Sequence, residues 1–439
     1  MSATGARQAA LRVLQAVRHG ELVDRAVRRE VDGLDPRDRA WTRELVLGTL
    51  RLRGRLDHRL GRFTRRPLDS LDPDVLDILR LGAYQLVEMG GVPGYAAISQ
   101  SVDLAKSAGS AASLVSAVLH ALQRADGEVA FPDLASDPVA HLSTWGSHPR
   151  WLVERWIARF GVDAARRLID ANNVRPQLYL HPVGSDLAEA AARLAATGVA
   201  ATLDEAAGAL CLFEPASLGA ALDVVPAIVQ DPAATAVAQY AAPPPSAVIA
   251  DLCAAPGGKA IVLAAGTRSA MPRQVIACDV SAGRLARLTE NLQRLPPLSV
   301  AIVVADARRP AIREADVVLL DVPCTGTGTL RRHADGRWRV RPEDIETLAR
   351  LQVELLDAAH SVVRPGGLLV YATCSLEPEE NEMQVEAFLN RHGDCTLEPP
   401  AGVAAERLDD SGCLSLMPHV HGCDGAFAAR MRKRGPVAR

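Results

Sequence analysis

Lysine is scarce in this sequence, although basic residues are not. Only three of the 49 basic residues are lysines, at Lys106, Lys259 and Lys433. An ammonium is a compact point charge and a guanidinium is a broad plane, so a lysine kept among arginines indicates a narrow site. Lys259 lies within a glycine-containing turn, and we therefore expect it to have a specific role.

Cysteines and long apolar runs are also few. The eight cysteines are spread over 439 residues, and none forms a CxxC pair or a cysteine–histidine cluster with zinc spacing. A disulfide framework and a metal centre are therefore not expected. No apolar run approaches the roughly 20 residues that cross a bilayer, and the amino terminus lacks the apolar core of a signal peptide. These absences predict a cytoplasmic protein with no membrane association.

Positive charge is concentrated at the amino terminus. Residues 1–66 hold 16 arginines and eight acidic residues, a balance of +8 in a chain whose net charge is -3. A basic module of this kind suggests a polyanionic partner such as a nucleic acid. The alternative is a solvated helical surface, because many of these arginines have an acidic neighbour.

The amino-terminal part has a helical pattern throughout. Apolar residues recur at helical spacing over residues 6–125, and a turn over residues 34–40 is expected to enter one long helix that runs through Leu60. Short loops between amphipathic helices predict a compact bundle. The segments that carry a family resemblance are LDPRDRAWTRELVLGTLR, LRLGAYQLVEMGGVP and AAISQSVDLAK. They resemble the helical RNA-binding domain of the NusB family.

The carboxyl-terminal part predicts a parallel sheet whose strands end in polar residues. One apolar run, residues 368–373, leads into Cys374, and Gly366-Gly367 is expected to break the chain just before it. Chemistry collects beyond the carboxyl ends of such strands, so we expect the residues there to share one site. The residues at these ends are Asp251, Asp279, Asp306, Asp321, Cys324 and Cys374.

A glycine turn after the first of these strands indicates a nucleotide ligand. The sequence DLCAAPGGK lets the backbone approach a ligand closely, but it matches neither GxGxxG nor the GxxxxGK[ST] phosphate loop. Asp279 lies where an acid binds ribose hydroxyls, and Asp306 is placed to accept from an adenine amine. This set favours an adenosine ligand without pyrophosphate, namely S-adenosylmethionine. The alternative is that the aspartates cap helices or loops.

The two strand-end cysteines indicate the methyl acceptor. C5 of cytosine is a weak nucleophile, but a thiolate that adds to C6 makes C5 reactive. Asp321 beside the second thiol is placed to contact the N3/N4 edge of the base. No motif of a metal hydrolase or of a Ser/His/Asp enzyme is present.

A second family resemblance covers nearly the whole chain. The segments DLCAAPGGK, DVPCTGTGTLRRHADGRW, YATCSLEPEENEMQVEAFL and MPHVHGCDGAFAARM resemble motifs of the RNA cytosine-5 methyltransferases, of the bacterial 16S ribosomal RNA (Sun/Fmu) type. The resemblance implies that Cys374 is the covalent nucleophile and that Cys324 assists adduct breakdown and product release. DNA cytosine-5 methyltransferases instead use the Pro-Cys thiol as nucleophile. Lys259 and Asp321 join the implied catalytic set. The implied cofactor residues are Cys253, Ala254, Ala255, Pro256, Gly257, Gly258, Lys259, Asp279, Arg284, Asp306 and Asp321.

The expected organisation is therefore multidomain. We expect an all-α NusB-like bundle over residues 1–130, a linker over 131–147, a small α/β connector domain over 148–242 and an α/β Rossmann-like methyltransferase domain over 243–436. The expected partner is 16S rRNA, free or in a small-subunit assembly intermediate, and the protein is expected to be a monomer. Two alternatives stay open, a transfer RNA cytosine-5 methyltransferase and a non-catalytic RNA-binding or antitermination protein.

An arginine- and tryptophan-containing stretch follows the Pro-Cys loop. Arg331, Arg332, Arg337 and Arg339 flank Trp338 over nine residues. Arginine interleaved with an aromatic residue near an active site predicts contact with a phosphate and a stacked base. The alternative is a salt-bridged loop.

Overall fold

The chain folds into two compact units that are not contiguous in sequence. The computed structural model describes residues 4–109, 111–125, 129–213, 217–266 and 273–435. The first unit is Met1–Arg175 together with Leu330–Arg339, and the second is Pro176–Thr329 together with Val340–Arg439. Residues 1 and 436, the expected outer limits of the first and last domains, lie outside the described residues.

The first unit is helical, as the sequence predicts. The buried faces of its amphipathic helices form one apolar core, which includes Leu45, Ile78, Leu79 and Leu119. The predicted linker over residues 131–147 contains a helix of seven residues. The main helices of the first unit are α1 (Gly5–Arg18), α2 (Val23–Glu30), α3 (Pro36–Arg51), α4 (Arg53–Gly61), α5 (Pro73–Val87), α6 (Gly94–Ser107), α7 (Ala112–Arg124), α8 (Pro138–Thr144), α9 (Arg150–Phe160) and α10 (Val162–Asn173).

The expected single helix through Leu60 is wrong, because the chain divides it at Leu52 into α3 and α4. The Ser147 hydroxyl bridges the division, since it donates to Arg51 O at 2.8 Å and accepts from the Gly54 N–H at 2.9 Å. A Cβ at Gly54 would lie 2.7 Å from Ser143 O, so this close approach requires glycine. A distant serine therefore sets the helix boundary, which local spacing does not reveal.

The second unit contains two sheets. The smaller sheet has the order β2-β3-β1-β4, and all of its pairings are antiparallel. Its βαββαβ succession is that of a ferredoxin-like fold. The elements are β1 (Leu178–Pro182), α11 (Leu187–Ala196), β2 (Ala201–Asp204), β3 (Ala209–Leu212), α12 (Leu218–Val224) and β4 (Ala227–Val229).

The larger sheet has eight strands in the order β10-β12-β9-β8-β5-β6-β7, with β11 paired to β12. β5 to β9 are parallel, and β12 pairs antiparallel with β9. The elements are α13 (Pro232–Tyr240), β5 (Val248–Asp251), α14 (Gly258–Ala265), β6 (Gln274–Asp279), α15 (Ala282–Gln293), β7 (Val300–Val304), β8 (Ala315–Asp321), α16 (Gly336–Arg339, in the first unit), α17 (Pro342–Val362), β9 (Val363–Thr373), α18 (Glu382–Arg391), β10 (Cys395–Leu397), β11 (Leu414–Leu416), α19 (Pro418–His421) and β12 (Ala426–Lys433).

This arrangement confirms the expected Rossmann-like fold. The chain steps from β5 to β6 and β7 in one direction, and β8 and β9 lie on the other side of β5. The strand order therefore reverses between β5 and β8, which is where open α/β sheets bind their ligands. The expected break at Gly366-Gly367 is wrong, because β9 begins at Val363 and continues through both glycines. Gly366 has a φ of +77°, and the register with β8 shifts at this end of the strand.

No helix among the described residues is long and apolar enough to span a membrane.

The segment Leu330–Arg339 is built into the first unit. Ala334 belongs to that unit's apolar core. Arg337 is fully buried, and its guanidinium donates to four backbone carbonyl groups and to the side-chain oxygen of Asn173. These acceptors are all neutral. Burial, and then the nearby Arg51 cation, lower the pKa of Arg337 to about 9.

The expectation that Arg337 contacts RNA is therefore wrong. Its Nη1 and Nη2 groups donate to carbonyl oxygens inside the helical unit, and Trp338 is half-buried with its Nε1 2.7 Å from Leu50 O. The Arg53 guanidinium lies over the Trp338 ring at 5.1 Å. The arginine–tryptophan pattern arose from intramolecular packing, which uses the same chemistry as base stacking.

We predict that Arg337→Lys destabilises the chain by about 2–4 kcal/mol, because one ammonium cannot reach the carbonyl groups that the guanidinium fork satisfies. Urea unfolding of the full chain measures this effect. Arg62→Lys, at an exposed arginine of the same unit, is the matched control and should leave the midpoint unchanged. Equal midpoints for the two variants would contradict the assignment.

Candidate active site

Two thiols lie next to each other at the carboxyl edge of the larger sheet. Cys374 follows the last residue of β9, and Cys324 lies in the loop after β8. Their Sγ atoms are 3.3 Å apart, and both residues are half-buried. The strands are parallel neighbours with Asp321 opposite Ala372, so the loops that follow them must meet. The structure thus brings together the two cysteines that the sequence singles out.

The loop after β8 is tied to the end of β9 by backbone contacts. The Gly328 N–H donates to Cys374 O at 2.9 Å, and the Gly425 N–H donates to Gly328 O at 2.8 Å. A Cβ at Gly328 would lie 2.7 Å from Cys374 O. Glycine at this position is therefore what allows the loop to lie against the strand end.

Lys259 is the cation of this edge. Its Nζ is 2.7 Å from Asp321 Oδ2, and its side chain is 18% exposed. Burial by itself would lower the pKa of Lys259, but the carboxylates of Asp321 and Asp251 and the sulfur of Cys374 together raise it. The ammonium therefore stays charged, and it interacts electrostatically with the Cys374 sulfur.

Asp251 is a second acid in the same region. It ends β5 and is 1% exposed. Burial, and then the charge of Asp321, raise the pKa of Asp251 to about 7. Near neutral pH this carboxyl group is therefore partly protonated, which leaves Lys259 to pair with Asp321.

The predicted cofactor turn lies between β5 and α14. Gly257 has a φ of +107°, and a Cβ there would lie 2.4 Å from the Leu288 side chain. A Cβ at Gly258 would lie 1.7 Å from Gln230 Oε1. Glycine is therefore required at both positions, because the turn packs closely against Leu288 and Gln230.

Asp279 and Arg284 support this turn. The Asp279 carboxylate accepts from the Ala255 N–H at 3.2 Å and from the Ser281 N–H at 2.9 Å. The Arg284 guanidinium donates to Ala255 O at 2.7 Å. Both predicted cofactor residues thus lie at the turn. The two hydrogen bonds of Asp279 show that it also caps backbone N–H groups, which was the alternative interpretation of the strand-end aspartates.

Asp306 lies two residues beyond β7, at the edge of the sheet. Arg308 binds its carboxylate through three hydrogen bonds of 2.7–3.1 Å. These bonds lower the pKa of Asp306 to about 2, so the carboxylate is ionised at neutral pH. Asp306 thus lies at the same carboxyl edge of the sheet as Asp279, but it forms an exposed ion pair with Arg308.

A buried polar network next to Cys324 was not predicted from the sequence. It centres on Glu380, which is completely buried. The signal in the sequence was the run Glu377-Pro378-Glu379-Glu380-Asn381, where three acids follow a buried strand. A run of acids at a helix start has an ordinary explanation in the helix dipole, and for that reason it did not stand out.

One group outside this edge has the residue types of a metal site. Ligand atoms of His360, His392 and Asp394 lie within 4.8 Å of one another. His360 Nε2 is 3.0 Å from Asp394 Oδ2, and His392 Nε2 is 2.8 Å from Asp357 Oδ1. Each imidazole therefore already has a carboxylate partner.

Comparison with known proteins assigns all three parts of the chain. The model of 16S rRNA methyltransferase RsmB/F matches residues 238–432, the NusB family model matches residues 4–124, and the RsmF/B-like ferredoxin-like domain matches residues 148–218. The NusB match confirms the resemblance that the helical segments carry.

Curated relatives match along the full length. Probable ribosomal RNA small subunit methyltransferase B of Synechocystis sp. is 34% identical over 452 residues, which cover 98% of this chain and 99% of the relative. The Bacillus subtilis protein of the same name is 31% identical and covers 99% of this chain and 100% of the relative. The crystal structure of PH0851 superposes with a TM-score of 0.78 at 25% identity, covering 99% and 100% of the two chains. From these full-length matches we conclude that the chain belongs to the RsmB/F family of 16S rRNA methyltransferases.

Proposed function

We propose that this protein methylates C5 of a cytosine in 16S rRNA, with S-adenosylmethionine as methyl donor and a covalent Cys374–C6 adduct as intermediate. The observation that carries the proposal is the pair of thiols 3.3 Å apart at the carboxyl ends of adjacent parallel strands. A protein that only binds RNA has no use for two juxtaposed thiols beside a lysine.

The thiols face opposite charges, which supports different roles for them. The Lys259 ammonium acts on Cys374 and favours its thiolate. The hydrogen bond with Cys374, burial and the charge of Glu380 raise the pKa of Cys324 well above its ordinary value. Cys324 therefore stays a neutral thiol, and we assign the role of nucleophile to Cys374, which interacts with the lysine.

The proposed reaction follows from this asymmetry. The Cys374 thiolate adds to C6 and makes C5 nucleophilic. When bound, S-adenosylmethionine supplies an electrophilic methyl group on a sulfonium. After C5 has gained the methyl group, its proton is lost to solvent, the C5–C6 double bond re-forms and the C6–S bond breaks. The electron pair returns to Cys374, and the neutral Cys324 thiol donates a hydrogen bond to the departing sulfur.

The residues of the cofactor turn fit S-adenosylmethionine. We propose that the backbone of Cys253–Lys259 holds the ligand and that Asp279 receives the ribose hydroxyls with the lone pairs its two hydrogen bonds leave unused. Asp306 is proposed to accept from the adenine amine, and Arg284 to keep the turn in place. Asp321, held by Lys259, is proposed to contact the N3/N4 edge of the cytosine.

The names of the relatives and the character of the first unit support 16S rRNA as the substrate. The relatives in Synechocystis and Bacillus subtilis are both named for the small ribosomal subunit. Within the first unit, many arginines are paired with acids, but Arg62, Arg65 and Arg66 form an exposed basic group. Such a group suits phosphate contact.

We predict that label from S-adenosylmethionine appears as 5-methylcytosine in 16S rRNA and that Cys374→Ala abolishes it, because the thiol proposed to add to C6 is then missing. The assay offers naked 16S rRNA, assembled small subunits and bulk transfer RNA in parallel. Label in transfer RNA alone would overturn the substrate. No label in any of the three would overturn the reaction.

We predict that Cys324→Ala accumulates a covalent RNA–protein complex, because the departing sulfur loses its hydrogen-bond donor. Denaturing gels of the variant mixed with 16S rRNA and S-adenosylmethionine detect the complex. Cys423→Ala, at a buried cysteine of the same unit, is the control and should behave as wild type. A gel without the complex for Cys324→Ala would reverse the division of roles.

We predict that Lys259→Gln lowers the methylation rate roughly 100-fold and moves the alkaline rise of the rate–pH profile to higher pH, because the thiolate loses its neighbouring cation. Single-turnover rates between pH 6 and 10 measure both effects. A uniform rate loss with an unchanged profile would show that Lys259 acts only in packing.

A further inference from the structure

A buried carboxylate holds the residue that follows Cys324. Glu380 is 0% exposed and lies in the turn after the β9 strand end. Its Oε1 accepts from the Thr325 N–H at 2.9 Å, and its Oε2 accepts from the Thr325 hydroxyl. Because Thr325 is bonded directly to Cys324, the carboxylate fixes the backbone on the carboxyl side of this cysteine.

The residue that precedes Cys324 is held by the same network. The Gln352 amide on α17 donates both to Glu380 Oε1 and to Pro323 O, each at 3.0 Å. The Tyr371 hydroxyl lies 3.1 Å from Gln352 Oε1 and 2.6 Å from Glu380 O. Glu380 and Gln352 thus hold the chain on both sides of Cys324.

Burying the Glu380 carboxylate among neutral groups costs free energy, and this cost indicates a role beyond packing. A carboxylate in the interior loses its hydration, and a cation usually offsets the loss. The donors to Glu380 are instead neutral groups of Thr325, Gln352 and Ser375. Burial consequently raises the pKa of Glu380, and its negative field is one of the causes that raise the pKa of Cys324.

Cys374 touches this network through the next residue, Ser375, whose side chain bonds to Glu380, and it has further contacts of its own. It continues strand β9, its carbonyl accepts from Gly328, and Lys259 is its charged neighbour. Loss of the Glu380 carboxylate therefore displaces Cys324 more than Cys374.

We propose that Glu380 is a positioning residue that holds Cys324 in reach of the Cys374 sulfur, and that it thereby governs release of the methylated base but not its formation. This inference rests on the proposed function. In the step concerned, the C6–S bond breaks, its electron pair returns to Cys374 and the C5 proton passes to solvent. Cys324 contributes only its S–H hydrogen bond, so its distance from the leaving sulfur decides its effect.

The test is Glu380→Gln, which keeps the shape but places an amide N–H₂ against Thr325 or Gln352, where an acceptor is required. Methyl transfer is followed before and during steady state with RNA in excess. We expect a first-turnover rate within about threefold of wild type, a kcat and a KM that both fall at least about 10-fold so that kcat/KM stays within about threefold, and a covalent RNA complex on denaturing gels. Glu386→Gln, at an exposed acid on α18, is the matched control and should behave as wild type.

The inference is overturned if Glu380→Gln matches wild type, or if it lowers the first turnover and kcat by the same factor. Should Glu380→Gln fail to fold, Thr325→Val, which removes one of the carboxylate's donors without changing shape, must show the same separation of the two phases. Wild-type protein that forms neither 5-methylcytosine nor a covalent complex would defeat the proposed function. Wild-type methylation with an unaffected Glu380→Gln variant would defeat only the inference.

Discussion

The pairing of β8 with β9 sets the geometry of the catalytic edge. Parallel neighbouring strands end on the same side of a sheet about 5 Å apart, so residues just beyond them are held within contact distance by backbone hydrogen bonds. Cys324 and Cys374 owe their 3.3 Å separation to this pairing, although they are 50 residues apart in sequence. The antiparallel β12 covers the outer side of β9 and protects this pairing from solvent.

Electrostatics then distinguish two thiols that the backbone treats alike. Cys374 interacts with the Lys259 ammonium, whereas the buried Glu380 is among the groups that raise the pKa of Cys324 and so favour its neutral thiol. Asp251 contributes by being partly protonated, because a second ionised acid would compete with Asp321 for Lys259. Charges placed in a region of low dielectric constant have large effects over short distances.

The fold and the catalytic edge could be predicted because local patterns in the sequence indicate them. Apolar runs that end in Asp251, Asp279 or Asp321 locate strand ends wherever the sheet is parallel, and no tertiary contact is needed to see them. The prediction for Arg337 was wrong because the sequence pattern of an arginine beside a tryptophan is the same whether the guanidinium binds a nucleotide or carbonyl groups of the protein. Glu380 was overlooked because its partners, Thr325 and Gln352, are distant in sequence and carry no charge. The roles assigned to individual site residues stay predictions.

The return of the chain to the first unit at Leu330–Arg339 has a consequence for biosynthesis. A ribosome releases the amino-terminal helices long before it has translated this segment. Until then, the carbonyl groups that Arg337 satisfies have no donor from it, and the apolar core lacks Ala334. The first unit therefore completes its native packing only after most of the second unit has been synthesised. Folding of this chain is thus not a simple vectorial sequence of domains, even though its family models follow one another neatly along the sequence.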